Sequence, residues 1–117
     1  MKKEKRKPKA FIHADFLSVI SKTRNKKKRS GLIDFATKQQ LEAIAECIEN
    51  VLNGNVALTA NQSKCLAKHK NTMRMVSNHG VSLPMKKRVL KQEGGFLATL
   101  IPLAVSALGS LVSGFIK

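Results

Sequence analysis

A chain of 117 residues with 22 Lys and Arg against 7 Asp and Glu carries a formal net charge of +15, which points to a polyanionic partner, nucleic acid or an anionic membrane surface. That length supports one small core with appendages rather than two domains. Trp and Tyr are absent, arguing against the stacking platforms of single-strand binders, and two cysteines behind an N-terminus, MKKEKRKPK, with no apolar core argue against a secreted disulfide scaffold.

Residues 1–9 form a basic arm, expected to be disordered until something anionic neutralises Lys2, Lys3, Lys5, Arg6, Lys7 and Lys9. From Ala10 to Thr23, the spacing of Phe11, Ile12, Phe16, Val19 and Ile20 predicts a short amphipathic helix that needs a docking surface. The run KTRNKKKR is the densest cationic block, with Lys22, Arg24, Lys26, Lys27, Lys28 and Arg29. It reads as an exposed linker, and Lys26 to Arg29 could double as a nuclear localisation signal.

The clearest element is a helix over Lys38–Leu52, where Leu41, Ile44, Ala45, Ile48, Val51 and Leu52 follow helical spacing and Thr37 with Gln40 has the spacing of a capping box. Asn53-Gly54 supplies its stop. Glu42, Glu46 and Glu49 lie on its other side, as a solvated face or as partners for a basic helix. Thr59 with Gln62 repeats the capping spacing and opens a helix from Ala60 to about Asn78, with Leu66, Met73 and Val76 inward and Lys64, Lys68 and Arg74 outward. After the turn at Asn78-His79-Gly80, Ser82 caps a further helix with Pro84 in its first turn, carrying Lys86, Lys87, Arg88 and Lys91. Gly94-Gly95 is read as its end and as a flexible joint.

The stretch from Phe96 to Ile116 has no charged side chain. As a helix it would reach roughly 31 Å, close to the approximately 30 Å thickness of bilayer hydrocarbon. Leu97, Leu100, Ile101, Leu108, Leu111, Val112 and Phe115 make an apolar stripe for membrane or capsid contact, opposite the smaller Ala98, Pro102, Ser106, Gly109 and Ser113. Ser106, Ser110 and Gly114 recur at the small-residue spacing that favours self-association. Pro102 should kink or start the helix. A competing reading buries this helix in a small globular domain.

With no period-two alternation, the expected fold is all-α. Three or four short helices form a small bundle, with a disordered basic N-terminal arm and a separate hydrophobic C-terminal helix. The parts are residues 1–30 (arm and short helix), 31–93 (helical basic domain) and 94–117 (Gly-Gly hinge and tail helix). No catalytic, metal or cofactor constellation is evident: His13, His69 and His79 are scattered, and Cys65 with His69 supplies half a metal site at best. The cations would contact phosphates without choosing a sequence.

The block QEGGFLATLIPLAVSALGSL resembles the end of the small basic core proteins of adenoviruses. Together with EAIAECIENVLNGNVALTANQ and VSLPMKKRVLKQEGGF, it is similar to the small basic proteins of Polinton (Maverick) elements and adintoviruses, over roughly residues 35–117. The resemblance implies a non-enzymatic minor internal virion protein that condenses packaged DNA, located in the virion interior and the host nucleus, with its tail touching the capsid interior or a membrane. It also implies cutting at Gly95–Phe96 by a viral maturation protease that reads Gly94 and Gly95, with Gln92 where the family usually has Met, Leu or Ile. Two other readings stand beside it. One is a membrane-active, lytic or pore-forming cationic peptide precursor. The other is a small host chromatin-associated protein whose tail folds into the core.

Overall fold

A computed structural model of the chain describes residues 12–116, with side chains to residue 106. The described residues form helices and no strand: α1 (Ala14–Lys22), α2 (Lys26–Asp34), α3 (Lys38–Leu52), α4 (Ala60–Ala67), α5 (Lys70–Ser77), α6 (Leu83–Glu93), a 3-10 turn (Gly94–Phe96) and α7 (Leu97–Ile116).

Local chemistry sets the helix starts. At α3 the Gln40 amide donates to Thr37 Oγ1 at 3.1 Å and the Thr37 amide donates to Gln40 Oε1 at 2.9 Å. Thr59 and Gln62 repeat both bonds at α4, so each box satisfies two amides that the helix itself leaves without partners. Gly54 ends the α3 turn at φ +77°, the left-handed region where a side chain would strain the backbone. Ser82 accepts from the Met85 amide to open α6.

The core gathers around the first half of α7. Leu97, Leu100, Ile101 and Ala104 are at most 2% exposed, in one cluster with Leu17 and Ile20 of α1, Leu41, Ile44 and Ile48 of α3, and Met73 and Val76 of α5. α7 packs on both α1 and α3, while α3 packs on α5, α2 on α6, and α5 on α6. Full burial of a Leu or Ile contributes about 1.5–3 kcal/mol. Leu97, Leu100 and Ile101 together therefore approach the whole stability of a small domain, about 5–15 kcal/mol.

This arrangement corrects the expectation of a separate C-terminal helix. Leu97, Leu100 and Ile101, taken as membrane or capsid contacts, are core residues; the side chains of Leu108, Leu111, Val112 and Phe115 lie outside the described residues, as does the arm of residues 1–9. The Gly-Gly joint is likewise not a hinge between bodies. Gly94 and Phe96 are buried in the 3-10 turn, which joins α6 directly to α7. Pro102 neither starts nor ends α7, which runs through it. The carbonyl that loses its amide partner belongs to Ala98, an exposed residue, so water can serve it.

Two other boundaries move, and one helix face turns. The supposed linker after Arg24 is the start of α2, capped by Asn25, whose Oδ1 accepts from the Lys28 amide at 3.0 Å, so the boundary expected at residue 30 falls inside a helix. The helix expected from Ala60 to Asn78 is two, broken at Lys68 and His69. The His69 ring stacks on Phe96 with centroids 5.2 Å apart, and its Nδ1 lies 3.5 Å from Glu93 Oε1. Finally, α1 turns Leu17 and Ile20 inward, leaving Ile12 and Val19 more than half exposed.

Candidate polyanion-binding surface

The cations of the central block are displayed by the α1–α2 corner. Lys22 ends α1, Arg24 lies in the turn, and Lys26, Lys27 and Lys28 form the first turn of α2; all five are exposed. The first turn of α2 holds no acid. Three ammonium groups therefore add to the positive end of the helix dipole instead of opposing it. The helix forms despite this repulsion because it is held at the other end. Ile33 is fully buried, and from α6 the Lys87 Nζ donates to the Asp34 carbonyl and the Lys91 Nζ to Asp34 Oδ1, each at 2.8 Å.

Those last bonds divide the expected phosphate contacts into two groups. Lys64, Lys68, Arg74 and Arg88 are exposed on α4, the α4–α5 turn, α5 and α6. Lys87 and Lys91 instead serve the α2–α6 contact. Lys86 is 8% exposed and lines a groove of about 540 Å³ beside Glu42, Glu46 and Glu49 of α3. A phosphate contact by Lys86 is therefore corrected to an internal position among carboxylates, where the acids of α3 meet a basic helix. Sequence reasoning missed Lys38 and Lys70, both exposed cations at helix starts. Lys38 stands apart from the other cations, whereas Lys70 lies two residues from Lys68 and was passed over without a physical reason.

Arg29 differs from its neighbours. It is half-buried, and its side chain crosses the Gly-Gly turn; a Cβ added at Gly94 would meet Arg29 Nε at 3.1 Å. Nothing in the spacing of KTRNKKKR and QEGGF reveals that contact, since the two residues are 65 positions apart and helix packing brings them together.

Gln92 and Gly95 are exposed, but the Gly95–Phe96 bond sits in helical backbone with the Phe96 ring 2% exposed. A protease groove that binds extended backbone meets this segment only after the turn unwinds. Beside it, the Glu93 carboxyl is held below the ordinary range by the hydrogen bond from Thr72 Oγ1, at 2.8 Å, and by His69.

Among the described residues no group of three or more His, Cys, Asp or Glu could hold a metal ion. The Cys47 thiol is pushed up to about 12 by burial and by the neighbouring Glu46, which keeps it protonated and unreactive at neutral pH. Among the described residues no helix is long and apolar enough to cross a membrane. In comparisons with protein-family models, curated proteins and solved structures, nothing matches this chain.

Proposed function

We propose that this chain binds nucleic acid through its phosphates without reading sequence, as a minor internal virion protein of the Polinton and adintovirus type that condenses packaged DNA. The observation that carries this reading is the cationic corner: five exposed Lys and Arg in Lys22–Lys28, with no acid in the first turn of α2, on a chain of net charge +15. Neutralising phosphates with such groups releases counterions and needs no base contact. The pattern QEGGFLATLIPLAVSALGSL supports the virion setting.

In this reading α7 has two tasks. Its first half holds the fold, and contact with the capsid interior, a membrane or a second copy belongs to residues beyond Ser106. The maturation protease acts on chains whose Gly-Gly turn has opened. Binding to two duplexes of unrelated sequence across a salt series tests the central claim. Equal affinities are expected, with log K falling linearly in log salt by about 0.9 per phosphate contacted; absent or salt-independent binding would overturn it.

A second reading, a small host chromatin-associated protein, is favoured by the burial of Leu97, Leu100, Ile101 and Ala104, which gives the first half of the apolar stretch a structural role. Mass spectrometry of purified particles separates the two. The membrane-active precursor draws less support, since Leu97, Leu100 and Ile101, three of the residues that would insert, are spent in the core.

A further inference from the structure

Arg24 and Arg29 approach the Gly-Gly turn from the α1–α2 corner, and with Ile20, Thr23, Gly94 and Gly95 they line a cavity of about 290 Å³. No carboxylate lines it. At about 30 Å³ per water, that is space for on the order of ten waters, or for a tetrahedral oxyanion with part of its shell.

The state of Arg29 makes this more than a cationic hollow. A guanidinium offers five N–H donors. Here Nη1 gives one long hydrogen bond, 3.4 Å, to the Thr23 carbonyl, and Nε is buried with no acceptor. A buried donor left so costs about 1–3 kcal/mol, and Arg29 has no ion-pair partner among the described residues. The half-buried side chain is nonetheless held in place, because the absence of a Cβ at Gly94 lets it lie against the turn. Gly95 leaves the adjoining space open, with nothing within 4 Å of where its Cβ would stand.

We infer that this cavity is a binding site for one phosphate-ester oxyanion, gripped by the guanidinium groups of Arg24 and Arg29 over the Gly94-Gly95 turn. Planar guanidinium forks match phosphate oxygens in pairs, whereas the surrounding lysines act as point charges. Lys26, Lys27 and Lys28 draw the polyanion in, and the arginine pair fixes one phosphate. This inference rests on the polyanion-binding reading, and it adds a defined anchor to what would otherwise be diffuse attraction. It also gives Gly94 a role independent of proteolysis.

The test uses the full chain with R24K/R29K, which preserves charge, and with the pair G95E and G95Q, whose side chains enter open space. Duplex binding is measured at several salt concentrations. In a second arm, inorganic phosphate is titrated while the Gly94 and Gly95 amides and the Arg29 Nε–H are followed by NMR. The expected result is about tenfold weaker duplex binding for R24K/R29K with an unchanged salt slope, a comparable loss for G95E, and less than about twofold change for G95Q. Saturable shifts with inorganic phosphate, combined with wild-type duplex binding by the variants, would assign the site to a small phosphate ester instead of the nucleic-acid backbone. The site is overturned if the variants bind duplex like wild type and the three signals ignore phosphate. Failure of the wild-type chain to bind any duplex sinks the polyanion reading separately, and the phosphate titration then still decides the cavity.

Discussion

The two compositional extremes of this chain, the cationic run Lys22–Arg29 and the uncharged run that follows Gly95, lie far apart in sequence and meet in space. One reads as a linker and is half helix; the other reads as a detachable tail, and its first half supplies the centre of the core. Arg29 lies across Gly94 where they touch. Segregation of charge and apolarity along a chain is therefore not evidence of separate bodies. A stripe of large side chains needs a partner, and here α1 and α3 provide it.

The dependence of the core on α7 fails first if that helix can be weakened without harm. Replacing Leu100 and Ile101 together by Ala should cost about 2–5 kcal/mol at each position, enough to abolish the cooperative urea transition followed by circular dichroism; a soluble, folded double variant would restore the detachable tail. Next, Phe96→Ala should cost about 3–5 kcal/mol and speed cutting at the Gly-Gly turn by any protease that accepts it, as read by limited digestion and mass spectrometry. Rapid cutting of the wild-type chain under native conditions would show that the turn opens freely.

A local contribution is expected to be smaller. Thr37→Ala should lower the stability of the fold by about 1 kcal/mol in chemical denaturation, the usual effect of losing a side-chain cap. The cationic region should respond in the opposite sense: changing Lys26, Lys27 and Lys28 to Gln should slightly raise the unfolding midpoint, because it removes repulsion at a helix start. The same change should reduce the salt slope of duplex binding by about three. A lower midpoint with an unchanged slope would mean that these lysines are structural.

The smallest effect concerns Glu93. Its carboxyl titrates below the ordinary value in the folded chain, so its contribution is present above the unfolded value of about 4.3 and is lost as pH falls through the lower folded one. Thr72→Val removes the main cause and should shrink the difference between urea midpoints at about pH 6 and about pH 3. An unchanged difference would place the pH dependence elsewhere.

What could be read in the sequence follows from how local the determinants are. α3 was legible with both ends, because Thr37, Gln40 and Gly54 act on their own neighbours. The start of α4 and the cap at Ser82 were legible for the same reason. α2 was hidden beneath its charge, since only Asn25 and Ile33 speak for it locally and its other support comes from Lys87 and Lys91. The break at His69 was likewise invisible, because Phe96 and Glu93, which engage that ring, belong to another part of the chain. Of the candidate surface, the cations themselves were plain, but which of them stay available was not. Lys86 is withdrawn by burial in the groove it shares with the acids of α3 and Lys91 by its bond to Asp34, and both depend on how helices pair.

The contact between α1 and α7 also bears on synthesis. Leu17 and Ile20 emerge from the ribosome long before Leu97 and Ile101 can cover them, so the nascent polypeptide carries a waiting apolar surface beside its most basic segment. Closure of the core therefore waits on α7, and the α1 face stays uncovered for most of the time the chain is being made.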